Sequence, residues 1–233
     1  MLRTRSSLTG GGPYNATETI SLYAYRQGFA SFNLDLIYGG AGESLADWES
    51  TVRTSLALAP PHVSAYALTV EAGTPLALDP ARHPDDDDQA DKYLLADALL
   101  TAAGLASYEI SNWARPEHEC HHNLLYWSQG DYLGVGCAAH SHRTGRRWWN
   151  VRTPERYLAL MEGGASAEGG CEELDAEAQR MEALQLSLRT ARGVPLGALD
   201  LDGLHGLVSS DGQRVVLTRD GRLLANDLST RLR

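Results

Sequence analysis

Between Glu109 and Trp149 the chain gathers five of its eight histidines (118, 121, 122, 140 and 142), two of its three cysteines (Cys120 and Cys137) and four of its five tryptophans. Imidazole and thiolate are metal donors, and flat indole and phenol rings pack against flat ligands. The run Arg115-Pro-Glu-His-Glu-Cys-His-His-Asn-Leu-Leu-Tyr-Trp127, closed by Gly134-Val-Gly-Cys-Ala-Ala-His-Ser141, therefore reads as a ligand site beside glycine loops. The three cysteines, separated by 16 and 33 residues, form neither a disulfide framework nor a close metal-binding pair, and are expected as reduced thiols.

Such side chains need a scaffold, and the flanking sequence alternates strand and helix patterns. A helical stretch at about Thr17–Gln27 leads into Phe32–Tyr38, a short apolar run ended by Gly39-Gly40-Ala41-Gly42, which predicts a strand and a glycine turn. Leu45, Trp48, Val52 and Leu56 recur at steps of three and four, on one face of a helix that Pro60-Pro61 stops. Val63–Val70 reads as a second strand. The acidic run Asp85–Asp88 opens an Ala/Leu-rich helix ending near Gly104, and carboxylates there complement the helix dipole, a role favoured over a metal site. Tyr108–Ser111 reads as a third strand. Strands joined by helices imply parallel pairing with right-handed crossovers, in a doubly wound sheet or a TIM-like barrel. Ligands then gather at the strands' C-terminal ends, here Tyr38-Gly39, Thr69–Glu71 and Asn112-Trp113.

Beyond residue 150 the character changes. Pro154 at a first helical position and Gly163-Gly164 bound one helix, and Asp175–Thr190 predicts another, with Met181, Leu184 and Leu188 on one face. Asp211-Gly212 between Leu207-Val208 and Val215–Leu217 predicts a hairpin, followed by a closing helix over Thr218–Leu232. This order is winged-helix-like, but residues 189–233 hold seven Arg against five Asp, too little positive charge for DNA, which leaves a lid or packing domain.

The bulk properties agree. In 233 residues, 20 basic side chains face 30 acidic ones, a net charge of −10 that argues against nucleic acid and anionic membranes as partners. No apolar run approaches the ~18 residues that span a bilayer. The basic start Met1-Leu-Arg-Thr-Arg lacks the apolar core of a signal peptide, so a cytoplasmic protein is expected, with no membrane insertion. Lys92 is the one lysine among the basic residues.

Six segments carry a resemblance: Asn33-Leu-Asp-Leu-Ile-Tyr-Gly39, Leu68-Thr-Val-Glu-Ala-Gly-Thr-Pro-Leu76, Tyr108-Glu-Ile-Ser-Asn-Trp-Ala-Arg-Pro116, His122-Asn-Leu-Leu-Tyr-Trp127, Gly130-Asp-Tyr-Leu-Gly-Val-Gly136 and Arg147-Trp-Trp-Asn150. In order and spacing they resemble the HemW heme chaperones, radical S-adenosylmethionine proteins related to oxygen-independent coproporphyrinogen III oxidase. The resemblance implies an α/β fold: the C-terminal part of a radical-SAM (β/α) partial TIM barrel, followed by a small helical, winged-helix-like domain. The expected division is a poorly ordered segment 1–16, a partial barrel with the ligand region over 17–150, and a helical domain with a hairpin over 151–233. The implied activity is binding heme and delivering it to recipient haemoproteins of the respiratory chain, with a homodimer left open. Family members carry an N-terminal Cys-x3-Cys-x2-Cys motif for a [4Fe-4S] cluster, and no such motif occurs here. A truncated chaperone without its own cluster is therefore expected. The rival readings are oxidative decarboxylation of coproporphyrinogen III, and a non-functional fragment exposing a strand edge.

The resemblance also assigns roles. His122 is the expected axial ligand to heme iron, Asn123 the residue orienting its ring through a hydrogen bond, and Tyr126 and Trp127 either the porphyrin platform or ordinary aromatic core. Asp35 corresponds to an acidic residue that contacts S-adenosylmethionine in the related oxidase, and the other reading is a buried carboxylate paired with an Arg of a neighbouring strand. Gly39 and Thr69, at strand ends, complete that cofactor set, while His140 and Ser141 are expected to line the same mouth. The family's Gly-x-Gly-Pro-Gly-Ala-His-Ser loop appears as Gly134–Ser141 with Ala138 in place of a glycine, which predicts backbone strain there.

Overall fold

The computed structural model describes residues 31–233, so the expected segment 1–16 and the helix at Thr17–Gln27 lie outside the described residues. The chain forms two compact units, one from residues up to Ser107 with Ser111–Glu119, the other from Tyr108–Ile110 with Cys120–Arg233.

In the first unit β1 (Asn33–Tyr38) and β2 (His62–Ala67) run parallel, from Asn33 opposite His62 to Tyr38 opposite Ala67. Alternation sends Leu36 and Tyr38 into the core and leaves Asp35 and Ile37 exposed. Helix α1 (Leu45–Leu56) connects the two strands and opens in a capping box, in which Ser44 Oγ accepts the Asp47 N–H and Asp47 Oδ2 accepts the Ser44 N–H, both at 3.1 Å. Such a cap stabilises by about 1 kcal/mol. The predicted helical face is real at its centre, where Trp48 and Val52 are fully buried. Helix α2 (Asp86–Ala102) is capped by Asp85, whose Oδ1 accepts the Asp88 N–H at 2.9 Å, so the acidic run serves the helix start as expected. Both helices cover the face of the sheet that carries Leu36, Val63 and Trp113. The two buried indoles are satisfied: Trp48 Nε1 donates to Lys92 O and Trp113 Nε1 to Asp97 Oδ1, both at 2.8 Å.

The predicted third parallel strand is not what forms. The region splits into β3 (Ala106–Glu109) and β4 (Asn112–Ala114), in the sheet order β1-β2-β4-β3, and β4 runs antiparallel to β2 with Trp113 opposite Val63. Asn112-Trp113 therefore begins a reversed strand instead of ending a parallel one. The cause is burial: the reversal places Trp113 in the core against Tyr93, ring centres 5.6 Å apart, and lets Ser111 O accept the Ala65 N–H at 2.8 Å. The two-residue alternation read from sequence carries no strand direction.

The second unit begins its helices with α3 (His121–Trp127). A three-stranded antiparallel sheet follows, β5 (His140–Arg143), β6 (Arg146–Asn150) and β7 (Glu168–Glu173), with α4 (Pro154–Glu162) between the last two. Helix α5 (Ala176–Leu188) packs Leu188 with Val194, Leu204, Val215 and Leu228 into a second core. The strands β8 (Val194–Pro195), β9 (Val208–Ser210) and β10 (Arg214–Leu217) contain the predicted hairpin. The expected closing helix breaks into α6 (Arg219–Leu223) and α7 (Ala225–Ser229), because Leu224 leaves helical geometry at φ −106°, ψ 20° while Ala225 and Leu228 turn into the core. No helix of the described residues is long and apolar enough to cross a membrane.

Candidate functional site

Helix α3 carries the four residues singled out from sequence: His122, Asn123, Tyr126 and Trp127. Its N-cap, Cys120, makes no side-chain cap; the Tyr108 hydroxyl does that work from β3, accepting the Cys120 N–H and an Asn123 Nδ2–H, each at 3.4 Å. Burial pushes the Tyr108 phenol up to about 12, so it stays a neutral hydroxyl. Asn123 was expected to orient the His122 ring; its amide is instead donated to Tyr108 and ties the helix down.

His122 is exposed, and its imidazole has no hydrogen-bond partner among the described residues. One turn on, Tyr126 meets it edge-to-face, ring centres 4.7 Å apart at 89°. Tyr126 in turn leans on Tyr132 at 4.2 Å, and Tyr132 lies 6.4 Å from His122 and 6.1 Å from His142. Burial and the neighbouring Tyr126 raise the Tyr132 phenol above its ordinary value. Together these rings form a continuous aromatic wall with one unengaged imidazole at its edge. Beside it lies a cavity of about 320 Å³, lined by Tyr126, Trp127, Tyr132, His142, Arg147 and Glu182 among others. Tyr126 and Trp127 therefore face a cavity.

The other histidines differ. His142 is buried with both ring nitrogens engaged: Nδ1 donates to Gly130 O at 3.0 Å and Nε2 accepts the Gly145 N–H at 3.2 Å, which fixes the tautomer and leaves no lone pair for a metal. His140 is exposed and packs on Trp149 at 5.7 Å. Ser141 is fully buried and its Oγ accepts the Gly134 N–H at 2.9 Å, so it holds the glycine loop and does not line a mouth. In that loop Ala138 has φ +56°, the left-handed conformation that its place in a glycine position predicted.

The candidate cofactor residues lie in the first unit. Asp35 is exposed on β1 and accepts Asn33 Nδ2–H at 2.7 Å, and Asn33 Oδ1 also bonds His62 Nδ1 at 2.6 Å. The alternative of a buried carboxylate paired with an Arg is therefore wrong. Thr69 is exposed just past β2. Gly39 serves the turn: at φ +86° its N–H donates to Glu43 Oε2 at 2.8 Å, and a side chain there would strike Gln89. Glu43 also meets Lys92, whose fully buried Nζ donates to Glu43 O and to Asp88 Oδ2, each at 2.6 Å. The three cysteines are free thiols, and the described residues contain no group of three His, Cys, Asp or Glu side chains placed to hold a metal ion.

Sequence reasoning missed Tyr108, Tyr132 and Arg147 as parts of this arrangement. All three stand inside the quoted segments, but only the fold shows that their side chains meet α3 or the cavity.

No family model matches the chain. Among curated relatives, the heme chaperone HemW of Mycobacterium tuberculosis is 44% identical over 91% of this chain and 56% of its own length. The heme chaperone HemW of Bacillus subtilis is 33% identical over 86% of this chain and 58% of the relative. That of Escherichia coli is 44% identical over 57% of this chain and 35% of the relative. Among solved structures, coproporphyrinogen III oxidase (HemN) from Escherichia coli, a radical SAM enzyme, superposes with a TM-score of 0.70 at 21% identity, covering 89% of this chain and 56% of that one. That likeness shows the fold alone: α/β, shared with the matched part of that structure. The chain spans a little over half the length of its first relatives, 56%.

Proposed function

This chain belongs to the HemW heme chaperone family, and from that membership we propose that it binds heme as cargo and passes it to haemoproteins, with His122 as the axial ligand to the iron. The observation that carries the proposal is the unengaged His122 imidazole at the edge of the Tyr126–Tyr132 wall, beside an aromatic cavity. A neutral imidazole is the usual axial donor to heme iron, and the flat rings offer the macrocycle contact area without competing for the metal. Tyr108 and Asn123 hold the helix that presents the ligand, and an exposed ligand suits cargo that must leave again. The recipients we assign are haemoproteins of the respiratory chain, reached from the cytoplasm.

S-adenosylmethionine, used by the wider family, would meet Asp35 on the exposed side of β1 and Thr69 just past β2, with Gly39 shaping the turn and not touching the ligand. A [4Fe-4S] cluster finds no ligand set in the described residues. The second reading, coproporphyrinogen III oxidation, is favoured by the fold likeness alone.

Titrating the purified chain with hemin tests the first reading. The expected result is a shifted Soret band that weakens strongly in His122→Ala, while a spectrum indifferent to that substitution would refute the ligand assignment.

A further inference from the structure

The cavity beside α3 has a charged side that its aromatic walls do not explain. Tyr132, His142, Arg147 and Glu172 stand opposite one another in register, so they share one face of the sheet. Arg147 Nη2 donates to Glu172 Oε2 at 2.7 Å, and its Nη1 donates to Glu182 Oε1. The two carboxylates are not equivalent. Glu182, on α5, is largely covered and is also held by Gln129 Nε2 at 2.7 Å, whereas the Glu172 side chain is 52% exposed on β7.

We propose that Arg147 is a carboxylate-binding residue for the cargo, taking a heme propionate in exchange for Glu172. This inference rests on the heme reading above. A guanidinium presents its donors in a fork that matches a carboxylate, and exchanging one carboxylate for another conserves the charge of the site. Releasing Glu172 costs little, because an exposed ion pair is weak and its acid returns to water. Glu182, pinned by Gln129, keeps the guanidinium in place through the exchange. The geometry suits the cargo: His122 approaches the row at Tyr132, and Arg147 lies two strands further along the same face, so a macrocycle with its iron at His122 and its face on Tyr126 and Tyr132 directs its rim toward Arg147.

The test compares wild type, Arg147→Met and Glu172→Gln, each titrated with hemin and with hemin dimethyl ester, which lacks free propionates, with binding read from the Soret band. Arg147→Met should bind hemin about tenfold more weakly, the loss of one charge-assisted pair. Glu172→Gln should bind it roughly two- to fivefold more tightly, since the competing acid is gone. Glu172→Gln should leave the affinity for the diester unchanged. If Arg147→Met does not fold, Glu172→Gln and the wild-type preference for hemin over its diester still decide the matter. Equal wild-type affinity for the two ligands, or no gain in Glu172→Gln, would overturn the assignment of Arg147. Loss of the His122-dependent Soret band in wild type would instead remove the heme reading, and the propionate site with it.

Discussion

Replacing Ala138 by glycine should stabilise the protein, and the size of the effect follows from the loop geometry. Ala138 sits at φ +56° with its side chain exposed, and its N–H donates to Val151 O at 2.9 Å, which holds the backbone in place. A residue with a Cβ in the left-handed region carries about 1–2 kcal/mol of steric cost, which glycine escapes. Against that, glycine loosens the unfolded chain by about 0.4–1 kcal/mol. No packing is lost, because the Cβ is exposed. The net expectation for Ala138→Gly is a gain of about 0.5–1 kcal/mol. With a urea m-value of about 2 kcal/mol/M, that raises the unfolding midpoint by roughly 0.3–0.5 M. Ala138→Val, β-branched in the same conformation, should move the midpoint the other way. A glycine variant with an unchanged or lower midpoint would refute the argument that strain is stored at this position.

Two further substitutions probe the first unit. Lys92→Met keeps the buried stem but leaves Glu43 and Asp88 without their cation, and urea unfolding should show a loss of about 2–3 kcal/mol; a loss below about 0.5 kcal/mol would mean that the buried ammonium contributes little. His62 gives a pH dependence: burial pushes its imidazole below the ordinary 6.5, although Asp35 and Glu119 pull the other way, so the folded state binds fewer protons than the unfolded one. Stability should therefore fall as pH drops from 6.5 toward the depressed folded value and then level off; unfolding midpoints measured in wild type and in His62→Gln check this, and equal pH slopes would refute it.

Local signatures made three elements legible in the sequence: the spacing of Trp48 and Val52 for α1, the acidic run Asp85–Asp88 for the start of α2, and Asp211-Gly212 for the β9–β10 hairpin. The strain at Ala138 was legible too, because a family glycine position was occupied by a residue with a Cβ. What stayed hidden depends on contacts distant in sequence. The reversal at Ser111 is decided by where Trp113 finds a buried partner, and the pairing of Arg147 with Glu182 joins residues 35 apart on different elements. Asn123 was expected to serve its neighbour His122; its amide instead goes to a tyrosine 15 residues earlier. The sequence counts His142 only as one of five clustered histidines; that its nitrogens are taken by two backbone groups, those of Gly130 and Gly145, is visible only in the fold.

The path of the chain through its two units has a practical consequence. It enters the second unit for Tyr108–Ile110, leaves for Ser111–Glu119, and returns at Cys120 for good. During that brief visit Tyr108 O accepts the Ala191 N–H at 2.9 Å, Glu109 bridges Thr190, and the Tyr108 hydroxyl caps the histidine helix. No single cut therefore yields both units whole. An excised fragment starting at Cys120 would keep every proposed heme contact and lose the anchor that aims them, so binding experiments on such a fragment would underestimate what the intact chain can do.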